Sequence, residues 1–168
     1  MLIHSQLYNF WLRSQGIWIS QLVTVSVNWL NDEELAAISH IHCLSATEFG
    51  VKMSWQYSKK SDSGNMCWCV DADQPQLVFT NKSLTDNSLP RIFDYRMLAD
   101  NKLIITAGKY EEMFLLESDN YRLRELRIEG KLIRRLKEQK VTPETLQNLP
   151  IGLLKVAQPI IKMSSYIE

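Results

Sequence analysis

Several features that would assign a function class at once are missing from this 168-residue sequence. Net charge is absent: 19 Lys and Arg balance 19 Asp and Glu, so no overall field steers the chain toward nucleic acid or a membrane surface. No apolar run approaches the roughly 20 residues of a helical membrane span. The opening residues, MLIHSQLYNFW, have neither the basic start and unbroken apolar run of a secretory signal nor the composition of a transit peptide. The chain is therefore expected to work in the compartment where it is made. Cysteine is scarce. Cys43, Cys67 and Cys69 cannot all pair, and the C-x-C spacing of the last two suits a disulfide poorly, so reduced thiols are expected. There is no internal repeat, no low-complexity segment, and no spacing of Ser, His and Asp or of Cys and His that suggests a nucleophile with its base.

What is present is core-forming material. With 45% hydrophobic residues, the length fits one domain, residues 1–168, around a full-sized core. An N-terminal helix is predicted where Ser5 can cap a segment carrying Leu7, Phe10 and Trp11 at helical spacing, with Gly16 ending it. The pattern then changes to period two. In IWISQLVTVSVNW the odd positions Ile17, Ile19, Val23, Val25, Val27 and Trp29 are apolar, the strongest strand signal in the chain. NDEELAAIS predicts a short helix over 32–39. FGVKMSWQY, MCWCV, QLVFT, RIFDYRML, KLIITAG and EEMFLLE follow as short strands separated by turn-forming residues. Strands at spacings near ten residues without intervening helices predict an antiparallel meander closing as a barrel or a sandwich. The pattern of RIEGKLIRRLKEQK is ambiguous: it could be a strand followed by a short helix, since Leu132, Ile133 and Leu136 have helical spacing while Gly130 disfavours one continuous helix. Thr142 and Pro143 predict a helix start, giving a short helix over 143–148, and the tail LLKVAQPIIKMSSYIE predicts a last strand edged by Pro159.

Charge is balanced globally and unbalanced locally. Residues 121–140 hold five Arg and three Lys against three Glu, a local excess of five positive charges. Such a segment needs a partner or a solvated face, and one expectation is a basic amphipathic patch for RNA or an acidic protein. Within it, YRLRELR places Arg122 and Arg124 two apart, on one face if the segment is a strand. His40, His42, Cys43, Cys67 and Cys69 are acceptable zinc ligands, but their spacing is not that of a zinc finger or ribbon, and no metal is expected.

GIWISQ, MSW, EMFLLESDNYRLR and the closing SSYIE together resemble the S-type phycobiliprotein lyases, over about residues 5–129 and 160–168. The Glu followed ten residues later by R-x-R is the most specific part. The resemblance implies a mainly all-β fold, an antiparallel up-and-down β-barrel like those of lipocalins and fatty-acid-binding proteins, with a helix beside it. It also implies a function: binding a phycobilin, phycoerythrobilin or phycocyanobilin, as substrate and assisting its thioether attachment to a cysteine of an apo-phycobiliprotein. Implied partners are that acceptor and a second copy or a related lyase subunit, with no nucleic acid and no membrane. The implied location is a plastid stroma or a cyanobacterial cytoplasm.

Residue by residue, the resemblance puts Glu112, Arg122 and Arg124 at bilin-contacting, catalytically important positions, and Met53 and Trp55 on the cavity wall. An Arg fork holds a carboxylate through two charge-assisted hydrogen bonds, which suits the two propionates of a bilin. A carboxylate such as Glu112 can anchor the pyrrole nitrogens and hold the protonated chromophore. Glu112 shares the face of Arg122 and Arg124 only if a loop of odd length, three or five residues, joins the two strands; Phe114 and Leu116 then face the cavity as well. The chain departs from the family pattern at Leu22, at Glu125 and Leu126, and in a longer segment over 130–158. These departures leave a non-catalytic partner subunit of a two-subunit lyase as the alternative.

Overall fold

The computed structural model describes the backbone of residues 3–25, 36–43, 50–57, 63–70, 74, 76–81 and 91–148, and the side chains of 5–21, 39–41, 74, 76, 77, 92–145, 147 and 148. Helix α1 (Ile3–Arg13) precedes ten strands: β1 (Gly16–Val25), β2 (Ala36–Cys43), β3 (Gly50–Tyr57), β4 (Ser63–Val70), β5 (Gln76–Asn81), β6 (Arg91–Ala99), β7 (Lys102–Ala107), β8 (Tyr110–Leu116), β9 (Tyr121–Ile128) and β10 (Lys131–Lys140). A short helix, α2 (Pro143–Gln147), follows. Every strand pairs antiparallel with the next, and β10 returns to pair with β1, so the meander closes into a barrel with no free edge among the described strands. The mainly antiparallel β architecture with an N-terminal helix therefore agrees with the sequence expectation.

The core lies at the end of the barrel next to α1. Leu7, Phe10 and Trp11 of α1 pack with Trp18, Ile41, Leu77, Tyr95, Leu103, Ile105, Phe114 and Leu116 from the inner face. Trp11 meets Phe114 edge-on at 6.0 Å. Polar contacts fasten the helix to the turns at the same end: Gln6 donates to Asp100, Arg13 pairs with Asp119, and Lys140 Nζ donates to the carbonyl of Arg13 at 2.9 Å. In the first half of β1 the even positions face inward, since Trp18 and Ser20 lie opposite Lys140 and Glu138. Ile17 and Ile19 lie on the outer wall and are buried there all the same.

Several local expectations are corrected. Residues 36–39 of the predicted helix over 32–39 form strand; Ala36–Ser39 pair with Gln21–Trp18 on one side, and Ala37–Ser39 with Tyr57–Trp55 on the other, and that double pairing overrides a weak helical preference. Residues 32–35 lie outside the described residues, as do 26–29 of the first predicted strand and the predicted tail strand. Helix α1 begins before Ser5, which therefore lies inside it rather than capping it. The helix predicted after Gly130 is strand β10, because β9 and β1 both offer it hydrogen-bonding partners. Helix α2 stands where predicted: the Thr142 side chain accepts from the Thr145 backbone and Pro143 opens the first turn.

Glu129 and Gly130, which turn β9 into β10, both have positive φ, 50° and 76°. This is the two-residue turn whose twist suits adjoining strands and which favours Asn-Gly. Glu129 is strained there in a way Asn is not. Glu129→Asn is expected to raise stability by about 0.5–1 kcal/mol, read as a higher urea midpoint with an unchanged slope.

Candidate functional site

The inner face of β8, β9 and β10 is built as three rungs. Paired residues on antiparallel strands share a face, so Leu116, Arg122, Glu138 and Ser20 form the rung nearest α1. Phe114, Arg124 and Leu136 form the next, and Glu112, Leu126 and Arg134 the third. Successive rungs are two residues, about 7 Å, apart. The last register pair before the β8–β9 turn is Leu116 with Arg122, which leaves five residues, an odd number, between them. Glu112, Phe114, Leu116, Arg122 and Arg124 are thereby brought to one face.

The first rung is fully buried. Arg122 Nε donates to Glu138 Oε2 at 2.5 Å, Ser20 Oγ donates to Glu138 Oε1 at 2.7 Å, and Arg124 Nε lies 3.5 Å from the same Oε1. The Arg122 guanidinium sits 4.6 Å from the Trp18 ring and 5.4 Å from that of Phe114, so two aromatic faces hold its plane. Its Nη1 and Nη2, both shut off from solvent, meet no hydrogen-bond partner among the described residues. Glu138 takes the Nε side of the guanidinium, and the Nη fork has no acceptor among the described residues. Arg124 joins the second and third rungs, with Nε 3.6 Å from Glu112.

Burial penalises both charges of the first rung. It would raise Glu138, but the charges of Arg122 and Arg124 and hydrogen bonds from Arg122 and Ser20 outweigh it and hold the carboxyl below its ordinary value of 4.5. Burial also pulls Arg122 down from its ordinary value, with Glu138 working against it. Among the described residues the inner face carries Arg122, Arg124, Arg134 and Lys140 together with Glu112 and Glu138.

The eight cations of residues 121–140 thus do not form one patch. Arg127 and Arg135 lie on the outer wall, where both pair with the buried Glu125, at 3.0 Å and 2.5 Å. Glu125, one of the departures from the family pattern, is thereby an outer-wall counter-ion remote from the inner rungs; Leu126 faces inward. A separate cavity of about 540 Å³ lies outside the barrel between α2 and β1, lined by Ile19, Gln21, Tyr121, Gln139 and Thr145 among others.

Met53 and Trp55 stand opposite Ile41 and Ser39 in the β2–β3 register, but their side chains lie outside the described residues. So do those of His42, Cys43, Cys67 and Cys69. Among the described residues no group of three metal-ligating side chains converges. Sequence reasoning missed Trp18, Ser20, Arg134 and Glu138. The Glu-Gly turn and the alternation Leu136, Glu138, Lys140 are the signal by which a hairpin could have been found in place of the helix. No protein-family model matches the chain, and no curated protein matches it.

Breaking the buried pair on one side strands a charge. Glu138→Gln is expected to cost about 3–5 kcal/mol, whereas Arg122→Met with Glu138→Leu restores most of the loss, both read by urea denaturation. Because the folded pKa of Glu138 is depressed, its contribution is complete above the ordinary value of 4.5 and is lost as pH falls through the folded value. Wild type should therefore lose stability below about pH 4.5 more steeply than the double variant, measured as melting temperature against pH.

Proposed function

We propose that this chain is a phycobilin-binding barrel of the lipocalin and fatty-acid-binding-protein kind, acting as an S-type phycobiliprotein lyase. The observation that carries the proposal is the Nη fork of Arg122, buried, clamped by Trp18 and Phe114 and without an acceptor among the described residues, on the same inner face as Arg124 and Glu112. A buried donor pair left unsatisfied costs free energy that a ligand carboxylate relieves. Two arginines one rung apart suit two carboxylates on one flat apolar body, which is the chemistry of a linear tetrapyrrole. Phe114 and Trp18 offer it aromatic surface.

In this mechanism the chain positions and the acceptor reacts. Arg122 and Arg124 hold the propionates, and Glu112 accepts hydrogen bonds from pyrrole N–H groups and favours the protonated, more electrophilic chromophore. The acceptor's thiol adds across the A-ring ethylidene bond, sulfur joining the exocyclic carbon while the proton is taken up by the ring system. Orientation supplies the acceleration, so no nucleophile of the chain's own is needed. The implied partner is an apo-phycobiliprotein.

Mixing the protein with phycocyanobilin or phycoerythrobilin is expected to shift and sharpen the bilin absorption band, and an unchanged spectrum with folded protein refutes the proposal. The Arg122→Met, Glu138→Leu variant, which removes one charge of each sign and so leaves the net charge of the interior unchanged, is expected to stay folded and lose that shift. Adding an apo-phycobiliprotein should give covalent colour on a denaturing gel for wild type only.

A further inference from the structure

A β-bulge sits in β10 between Leu132 and Arg134, where the register to β9 steps from Leu132 opposite Arg127 to Arg134 opposite Leu126. Without that step, Arg134 would share the outer face of Leu132, since residues two apart on a regular strand face the same way. With it, Arg134 joins the inner face, on the rung of Glu112 and Leu126, and its Nε is shut off from solvent. The next residue, Arg135, points outward to Glu125. Bulges commonly re-aim a side chain beside a functional site, and this one turns a half-buried cation to the inner face of the barrel.

We infer that Arg134 is a further ligand-contacting residue, which takes an anionic group of the bound molecule at the end of the inner face away from α1. Arg122, Arg124 and Arg134 then form a ladder with steps of about 7 Å. Arg124 and Arg134 stand on successive rungs of this face, so a second carboxylate of the ligand, carried beyond the one at Arg122, comes within reach of both. The class selected is a flat or extended apolar body with two carboxylates rather than one. The choice of bilin as probe rests on the proposed function above.

The test compares affinities of wild type, Arg134→Leu, Arg134→Gln and the outward control Arg135→Leu for phycocyanobilin diacid and for its dimethyl ester, with folding followed by circular dichroism. Loss of a charge-assisted pair predicts that both Arg134 variants bind the diacid roughly tenfold or more weakly. The ester should bind them as it binds wild type, and Arg135→Leu should leave both affinities unchanged. Diacid binding unaltered in the folded Arg134 variants overturns the inference while bilin binding stands, and so does an equal loss in Arg135→Leu, which marks a long-range charge effect. If wild type binds no bilin, the proposed function fails separately. The inference is then judged by hexadecanedioate against its dimethyl ester, followed by tryptophan fluorescence with the same outcomes, and no binding of either to wild type overturns it as well.

Discussion

The buried ion pair between Arg122 and Glu138 is the constraint around which this barrel is arranged. Two charges withdrawn from water are costly unless geometry and further hydrogen bonds offset the desolvation. Here the offsets come from three neighbouring strands: Ser20 of β1 donates to Glu138, Arg124 of β9 adds its charge, and Trp18 and Phe114 enclose the guanidinium. The pair thus ties the closing seam of the barrel, β9–β10–β1, with side chains as well as with the backbone ladder. A register slip by one residue would put Arg122 and Glu138 on the outer wall, so the same pair specifies the register.

That arrangement divides the interior. Beside α1 an apolar cluster packs the inner face, and against it the rungs of β8, β9 and β10 carry charges of both signs. An interior that is part packed core and part charged wall is poorly explained by stability alone, since apolar residues of similar volume would serve packing as well or better. The proposed function gives that charged wall a purpose, to hold an amphiphilic dianion in one orientation. The outer-wall cluster of Glu125 with Arg127 and Arg135 is different in kind, since its cations keep about a third of their surface in water and its effect stays local.

Much of this was legible in the sequence. The strands from β3 to β9 follow short apolar runs bounded by turn residues, and α2 follows from a Thr-Pro start. The common face of Glu112, Arg122 and Arg124 follows from period two plus an odd turn. Two segments misled for one physical reason. Leu132, Ile133 and Leu136 have helical spacing because a bulge interrupts the period of two, and Ala36–Ser39 have helix-forming composition while lying between two strands that need partners. In both, pairing on two sides outweighed a local preference of a few tenths of a kcal/mol per residue.

By itself the sequence determined that the chain is an antiparallel meander and which side chains of a given strand travel together, because side-chain alternation is a property of the extended backbone. Which of those faces turned inward was a tertiary outcome. The apolar odd positions of β1 would have been the natural choice for the core, yet the barrel placed Trp18 and Ser20 inside and Ile17 and Ile19 on the outer wall. The partnership of Glu138 with Arg122 and the inward turn of Arg134 were likewise decided by closure. They depend on which strands become neighbours and where the register steps, and only the three-dimensional pairing of distant segments sets those.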